Sequence, residues 1–305
     1  MISIIIVTWN NEAVIGNCIK SIFRFEKEVD FEIIIVDNAS TDNTLEEVRK
    51  LDFSNIKILE AKKNLGFAKA NNRGAQLASG DRLLFLNPDT IFIQKGLNKV
   101  FEFIQEDIGI VGCKLLNEDL TLQASCFNFD SPKNIILEQF MIGKLLPEKF
   151  RKKCTPYLGK HDEQSTVDWV VGAFVATTKK NFQAIQGWSE DFFLYSEDME
   201  LAYKMKKYLH RSVLFLPHYK IVHLGGQSEI QDYSQSKHIK LLESRLQFYK
   251  KYSLKSSYKT LLNCYKLKCF CINTMCHFFY QKKLFVQLEK YKEARKFLLE
   301  KKEKL

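Results

Sequence analysis

The sequence predicts an α/β protein: a mostly parallel mixed sheet flanked by helices, with a helical appendage at the C-terminal end. Three observations carry this. Short apolar, β-branched runs alternate with stretches of helical periodicity from Ile2 to Leu115. Polar clusters recur where those runs end. Past Lys237 the chain becomes Lys-rich, poor in Gly and Pro, and studded with Phe, Tyr and Leu.

Taken in order, Ile2–Thr8 is a continuous apolar run of the kind that forms a strand buried on both faces. Asn10 or Asn11 can cap a helix whose inward positions are Ile15, Cys18, Ile19, Ile22 and Phe23. A second strand spans Phe31–Val36, and a helix with Leu45, Val48 and Leu51 inward follows the polar loop 37–42. Ile56–Leu59 is a third strand. A helix runs from about Gly66 to Ser79, with Gly80 as its terminating C′ residue. Arg82–Leu86 is a fourth strand, a helix carries Leu97, Val100, Phe101 and Ile104, and Ile108–Leu115 is again a strand. Residues 117–165 lack a clear period and read as an insertion or lid. Strand-like character resumes over Val167–Thr178, Ser212–Leu216 and Tyr219–His223. The expected domains are 1–236, with 117–165 inserted, and a basic amphipathic helical segment over 237–305.

The net charge of +10 is concentrated at one end. Residues 237–305 hold 18 Lys and Arg against 5 Glu, a net +13, which leaves −3 on residues 1–236. No basic leader precedes the first strand, and no run of about 18 apolar residues occurs, so the expected location is cytoplasmic with reduced thiols. Cys264, Cys269, Cys271 and Cys276, with His277, lack the paired CxxC spacing of zinc sites, and a packed helical face is the stronger reading. No GxGxxG follows the first strand and no GxxxxGK[ST] occurs, which argues against dinucleotide and P-loop enzymes.

In a parallel sheet, ligands bind beyond the carboxyl ends of the strands. Thr8-Trp9-Asn10, Asp37-Asn38 and Asn87-Pro88-Asp89 all stand at such ends and should share one cleft. Asp37 and Asn38 can grip a base or a ribose, although a helix-capping loop explains Asp42 equally well. Asn64 and Gly66 precede a helix N-terminus, which attracts anions. Asn71-Asn72 has poor helix propensity, so something besides helix stability selects it. Glu197-Asp198 begins a helix. It can complement the helix dipole, or supply a general base beside an aromatic cluster of Trp188, Phe192, Phe193 and Tyr195.

The order SIIIVTWN, VDNASTD, NLGFAKANN, FLNPD, VVGAF, FFLYSEDMEL and HLGG resembles the family 2 inverting glycosyltransferases with the GT-A fold. Asn-Pro-Asp in place of the usual acidic triplet is most similar to the rhamnosyltransferase-like branch. The resemblance covers roughly residues 1–230. It implies a nucleoside-diphosphate sugar donor lying across the strand ends. Thr8 and Asn10 would stand near the base, Asp37 and Asn38 on its edge, and Asn64, Gly66, Asn71 and Asn87 toward nucleotide and sugar. Gly172 and Ala173 would line the sugar and acceptor. It implies Asp198 as catalytic base with Glu197 assisting, and Mg2+ or Mn2+ held by Asp89 and His223. The implied reaction transfers a sugar to a glycan or lipid-linked acceptor in bacterial surface polysaccharide synthesis. dTDP-rhamnose is the favoured donor, and UDP-galactose, UDP-glucose or UDP-N-acetylglucosamine the alternative. A catalytically inactive homologue and a sugar nucleotidyltransferase are the rivals. The first does not explain why all five of Asp37, Asp89, Glu197, Asp198 and His223 are kept, and the second lacks its Gly-rich basic loop.

The basic C-terminal segment suits peripheral contact with an anionic membrane surface, with homo-oligomer contact the competing reading. No nucleic-acid motif accompanies the charge.

Overall fold

The computed structural model describes residues 1–225, 237–278 and 281–301. The chain opens with β1 (Ile2–Thr8), α1 (Ile15–Phe25), β2 (Phe31–Asp37), α2 (Thr44–Arg49), β3 (Ile56–Glu60), α3 (Phe67–Leu77) and β4 (Arg82–Leu86). It continues through β5 (Thr90–Phe92), α4 (Leu97–Glu102), β6 (Ile108–Leu116), β7 (Leu122–Gln123), β8 (Cys126–Phe127), α5 (Pro132–Gln139) and α6 (Glu148–Cys154). Then come β9 (Ser165–Val167), β10 (Trp169–Val170), β11 (Phe174–Thr178), α7 (Lys179–Ala184), α8 (Glu197–Leu209) and β12 (Ser212–His223). Three helices end it: α9 (Lys237–Lys251), α10 (Lys255–Phe278) and α11 (Lys282–Glu300).

Two compact units form. The first joins Met1–Asn128 to Pro156–Asp232, and the second joins Phe129–Thr155 to Tyr233–Leu305. The stretch 117–165 is therefore divided. Its middle belongs with the C-terminal helices, and its two ends stay with the sheet.

The first unit is built on a mixed sheet of order β3-β2-β1-β4-β11-β6-β12-β5, with β7 and β9 added at β6 and β12. β1 and β2 are buried at every residue, as expected for strands covered on both faces. β1 runs parallel to β2 and β4, and β12 parallel to β6. β11 lies between β4 and β6 and is antiparallel to both. The Val167–Thr178 run therefore divides among three strands. Val167 ends β9, which pairs with β12, β10 pairs with β8 in a separate ribbon, and β11 enters the main sheet. Ser212–His223 instead forms one strand, whose register slips between Leu216 and Lys220 around Pro217, a residue with no N–H to offer the ladder.

Two local expectations are corrected. Gly80 is not a left-handed helix terminator, since α3 ends in extended backbone at Ala78. A Cβ on Gly80 would lie 2.7 Å from the Met1 carbonyl oxygen, so the residue is needed for close approach. Its N–H donates to Ser3 Oγ, which donates to the buried Glu32. Neither Asn10 nor Asn11 caps α1 through its side chain. Asn11 Oδ1 accepts the Trp9 N–H, and Asn10 Oδ1 accepts the Thr41 N–H.

In the second unit α5 is bound to the C-terminal helices through Arg245. Its Nη2 donates to Asp130 Oδ1 at 2.6 Å and to Glu138 Oε2 at 2.7 Å. Tyr249 Oη donates to Asp130 Oδ2, and Ser257 Oγ to the Asp130 carbonyl. Lys268 Nζ donates to Gln139 Oε1. Leu288, Ala294 and Leu298 form the buried stripe of α11, and Tyr258 Oη donates to the Leu298 carbonyl. Cys264 and Cys269 are buried and Cys271 is exposed, all on α10, and among the described residues no three His, Cys, Asp or Glu side chains converge as metal ligands.

α3 packs close to the sheet because Gly74 has no side chain. A Cβ there would lie 2.5 Å from Ile5 Cγ2 and 3.0 Å from Val36 Cγ2. Gly74→Ala is expected to destabilise the protein by about 1–3 kcal/mol through overpacking, less about 1 kcal/mol returned by alanine's helix preference. Thermal melts measure the sum, and an unchanged melting temperature would show that α3 lifts off the sheet freely.

Candidate active site

The ends of β1 and β2 stand side by side, with Thr8 opposite Asp37 in register. Asp37 organises the loop behind it. Oδ1 accepts from Thr8 Oγ1 at 3.1 Å and from Ser40 Oγ, and Oδ2 accepts the Ser40 N–H at 3.0 Å. The Asn10 N–H donates to Ser40 Oγ, and Asn10 adopts a left-handed φ of 53°, which asparagine tolerates. Thr8 is wholly enclosed and Asp37 is 2% exposed, so Thr8 acts by positioning its neighbour.

Asn38 joins this edge to the entry of α3. Its N–H donates to the Thr8 carbonyl, Oδ1 accepts the Leu65 N–H, and Nδ2 donates to the Gly66 carbonyl. Asn64 Oδ1 accepts the Gly66 N–H. Gly66 has φ +79°, and a Cβ on it would lie 2.8 Å from the Phe193 ring, so both conformation and space require glycine. Phe67 N–H donates to the Phe193 carbonyl.

The Asn71-Asn72 pair has partners within the fold. Asn71 is buried and donates to the Phe67 carbonyl one turn back. Asn72 acts like a strand edge toward Trp188: Nδ2 donates to its carbonyl and Oδ1 accepts its N–H, both at 2.9 Å. Trp188 and Phe192 are core residues, and of the expected aromatic cluster Phe193 stands out at 60% exposure.

A second group gathers at the end of β4. Asn87 N–H donates to the Ala173 carbonyl, and Leu224 N–H donates to the Asp89 carbonyl. His223 Nε2 lies 3.3 Å from Asp89 Oδ1 and 3.3 Å from Asn87 Nδ2. His223 Nδ1 lies 2.7 Å from Gln123 Oε1. Gln123 Nε2 faces the His223 backbone carbonyl at 3.2 Å, which can only accept, so the Gln123 oxygen must point at Nδ1. Nδ1 therefore donates to Gln123, and Nε2 faces Asp89 and Asn87. Sequence reasoning missed Gln123. It sits in a stretch without periodicity, and only the pairing of β7 with β6 brings it to His223.

The third group is at the start of α8. Tyr195 and Ser196 both hold left-handed φ, at 71° and 61°, an uncommon pair immediately before two acids. Asp198 Oδ2 accepts the Gly172 N–H at 3.1 Å, and Oδ1 accepts the Met199 N–H at 2.8 Å. A Cβ on Gly172 would meet Asp198 at 3.5 Å and the Phe67 ring at 3.8 Å, which places the three groups against one another. Glu197 is buried, and its Oε2 has no partner among the described residues. Burial raises the Glu197 carboxyl to about 8, with the Asp198 charge pushing the same way. Burial raises Asp198 to about 6, opposed by the Met199 and Gly172 N–H groups.

Residues 3–121 match the family model described as glycosyl transferase family 2. An uncharacterized glycosyltransferase of Haemophilus influenzae is 30% identical over 127 residues, 40% of this chain and 42% of the relative. The poly(ribitol-phosphate) β-N-acetylglucosaminyltransferase TarS of Staphylococcus aureus is 29% identical over 153 residues, 48% of this chain and 26% of the relative. The chain thus spans less than half the length of either. Among solved structures, a mannosyltransferase from Pyrobaculum calidifontis in complex with GDP-Man and Mn2+ superposes with a TM-score of 0.60 at 14% identity, over 98% of this chain and 84% of that one. The fold is GT-A.

The acid pair has a measurable signature. Unfolded carboxyls titrate near about 4, and the folded pair titrates higher. Its contribution to stability is complete below the unfolded value and is lost as pH rises through the folded values. Glu197→Gln stays neutral, so its melting temperature should rise relative to wild type between about pH 5 and about pH 9. An identical difference at both pH values would refute the raised titration.

Proposed function

We propose that this chain is an inverting glycosyltransferase acting on a pyrimidine nucleoside-diphosphate sugar, with Asp198 as its base. The observation that carries the reading is the contact of Gly172, Phe67 and Asp198. It sets a raised-pKa carboxylate beside the entry of α3, whose preceding loop Asn38 ties to the ends of β1 and β2.

Asn10, Asp37 and the loop it orders take the base, with Thr8 and Asn38 holding them in place. The loop through Asn64 and Gly66 lies under the sugar, and exposed Phe193 offers it a ring face. An acceptor hydroxyl attacks the anomeric carbon from the side opposite the diphosphate. Its proton passes to Asp198, and the carbon–oxygen bond to phosphate breaks with its electron pair leaving on the diphosphate. The Gly172 N–H aims the carboxylate. Glu197, higher in pKa, stays protonated longer and so keeps the charge at Asp198.

Asp89 and His223 fit a divalent cation in chemistry, one carboxylate beside one imidazole, with no third His, Cys, Asp or Glu ligand converging on them among the described residues. They would hold Mg2+ or Mn2+, which neutralises charge on the diphosphate when bound. Asn87 stands where the family motif usually has an acid, and its amide points to the same His223 nitrogen. Gln123 orients that ring through its Nδ1. Asn-Pro-Asp favours dTDP-rhamnose. The relative named as an N-acetylglucosaminyltransferase favours a hexose donor. A panel of nucleotide sugars assayed for diphosphate release, with a lipid-linked saccharide as acceptor, decides between them and tests the bacterial envelope-glycan role.

Asp198→Asn should bind donor as wild type does and lose transfer by about 10²–10⁴-fold. Wild-type turnover in that variant would refute the base. EDTA should abolish activity and Mn2+ or Mg2+ restore it, with full activity in chelator refuting the Asp89–His223 site. Gln123→Leu should weaken Mn2+ binding by about 10–100-fold, read by titration calorimetry, and unchanged affinity would remove Gln123 from the site.

A further inference from the structure

The division into two units sorts the charge more sharply than the sequence order does. Phe129–Thr155 with Tyr233–Leu305 carries 24 Lys and Arg against 8 Asp and Glu, a net +16, and the remainder carries 22 against 28, a net −6. The segment 129–155 supplies 6 of those cations, four of them in Lys149, Arg151, Lys152 and Lys153 of α6. α6 buries no side chain in the structure. Phe150 on it is 58% exposed, and Leu145 just before it is 85% exposed.

The same pattern recurs on α10. Phe270 is 70% and Phe278 77% exposed, and both lie among Lys266, Lys282 and Lys283 in sequence. Large apolar side chains held in water beside a high density of cations satisfy neither a core nor an ordinary solvated face. One class of partner matches both features: an anionic lipid surface attracts the cations and accepts the aromatic and aliphatic groups at its interface. A nucleic acid would match the charge and leave Leu145, Phe150, Phe270 and Phe278 without a function. A second copy of this chain would bring +16 against +16.

We infer that residues 129–155 and the C-terminal helices form one composite surface that docks on anionic phospholipid, with Leu145 and Phe150 as one set of inserting side chains and Phe270 and Phe278 as the other. The buried Arg245 cluster with Asp130 and Glu138 makes the two segments a single body, so both limbs engage together. This goes beyond the transfer chemistry and stands without it.

The test uses the full chain with vesicles of phosphatidylcholine alone and with about one-third phosphatidylglycerol. Wild type should co-sediment with the anionic vesicles and be released by salt. Leu145→Glu/Phe150→Glu and Phe270→Glu/Phe278→Glu should each lower partitioning by about tenfold or more, with melting temperatures unchanged because all four positions are exposed. Lys149→Glu/Lys152→Glu, which leaves the apolar groups intact, should lower it by about fivefold or more per cation. Three outcomes would overturn the inference: equal binding to neutral vesicles; loss on substitution in α10 alone, which would make 129–155 a bystander; or a dimer by light scattering, dissociated by these substitutions, with no partitioning into either vesicle.

Discussion

The direction of β11 is the constraint from which the site follows. β4 and β6 both point their carboxyl ends toward the cleft, and β11 lies between them running the other way. Its beginning, not its end, therefore reaches the cleft. That places Gly172 and Ala173 beside Asn87 and delivers the Gly172 N–H to Asp198. A parallel strand in the same slot would have presented Thr178 and Lys179 there, with α7 following.

The buried carboxylates of the first unit show where stability has been set aside. Glu32 is held down to about 2 although burial opposes it, because Lys57, Ser3 and the Ser79 N–H all serve it. Glu26 accepts from Tyr219 Oη and the Leu97 N–H and so fixes the start of α4. Glu197 is as enclosed as either, yet one of its oxygens has no partner among the described residues. Buried polar groups are normally satisfied. Two non-glycine residues in left-handed conformation lead into the same acid. Strain and an unsatisfied acid at one helix start are the pattern of a position kept for chemistry at the expense of stability.

Most of the fold of the first unit was legible because its signals are local. Buried parallel strands announce themselves as unbroken apolar runs, as Ile2–Thr8 and Phe31–Asp37 do. The strand-end polar groups were legible for the same reason: once the strands are parallel, Thr8, Asp37 and Asn87 must share an edge. What escaped depends on contacts distant in sequence. Asn72 answers to Trp188, Gln123 to His223, and Asp130 to Arg245, each more than 90 residues away, and nothing in either local stretch marks the pairing. Val167–Thr178 reads as one strand because apolar character does not say which sheet a residue joins. The break at 171–173 separates β10, which pairs with β8, from β11, which pairs with β4.

The discontinuous second unit also sets an order of events. Residues 129–155 leave the ribosome well before Arg245, the side chain that neutralises Asp130 and Glu138 and gives α5 its partner. Until α9 and α10 have been made, α5 lacks both the Arg245 that neutralises its carboxylates and the helix it packs on, and the stretch around Leu145 and Phe150 is tethered but unplaced. The twelve strands described for the first unit precede α9 in the chain. The sheet can thus close while the basic body is still incomplete, and the early segment is the part of the nascent chain with the greatest need of a chaperone or a surface to hold it.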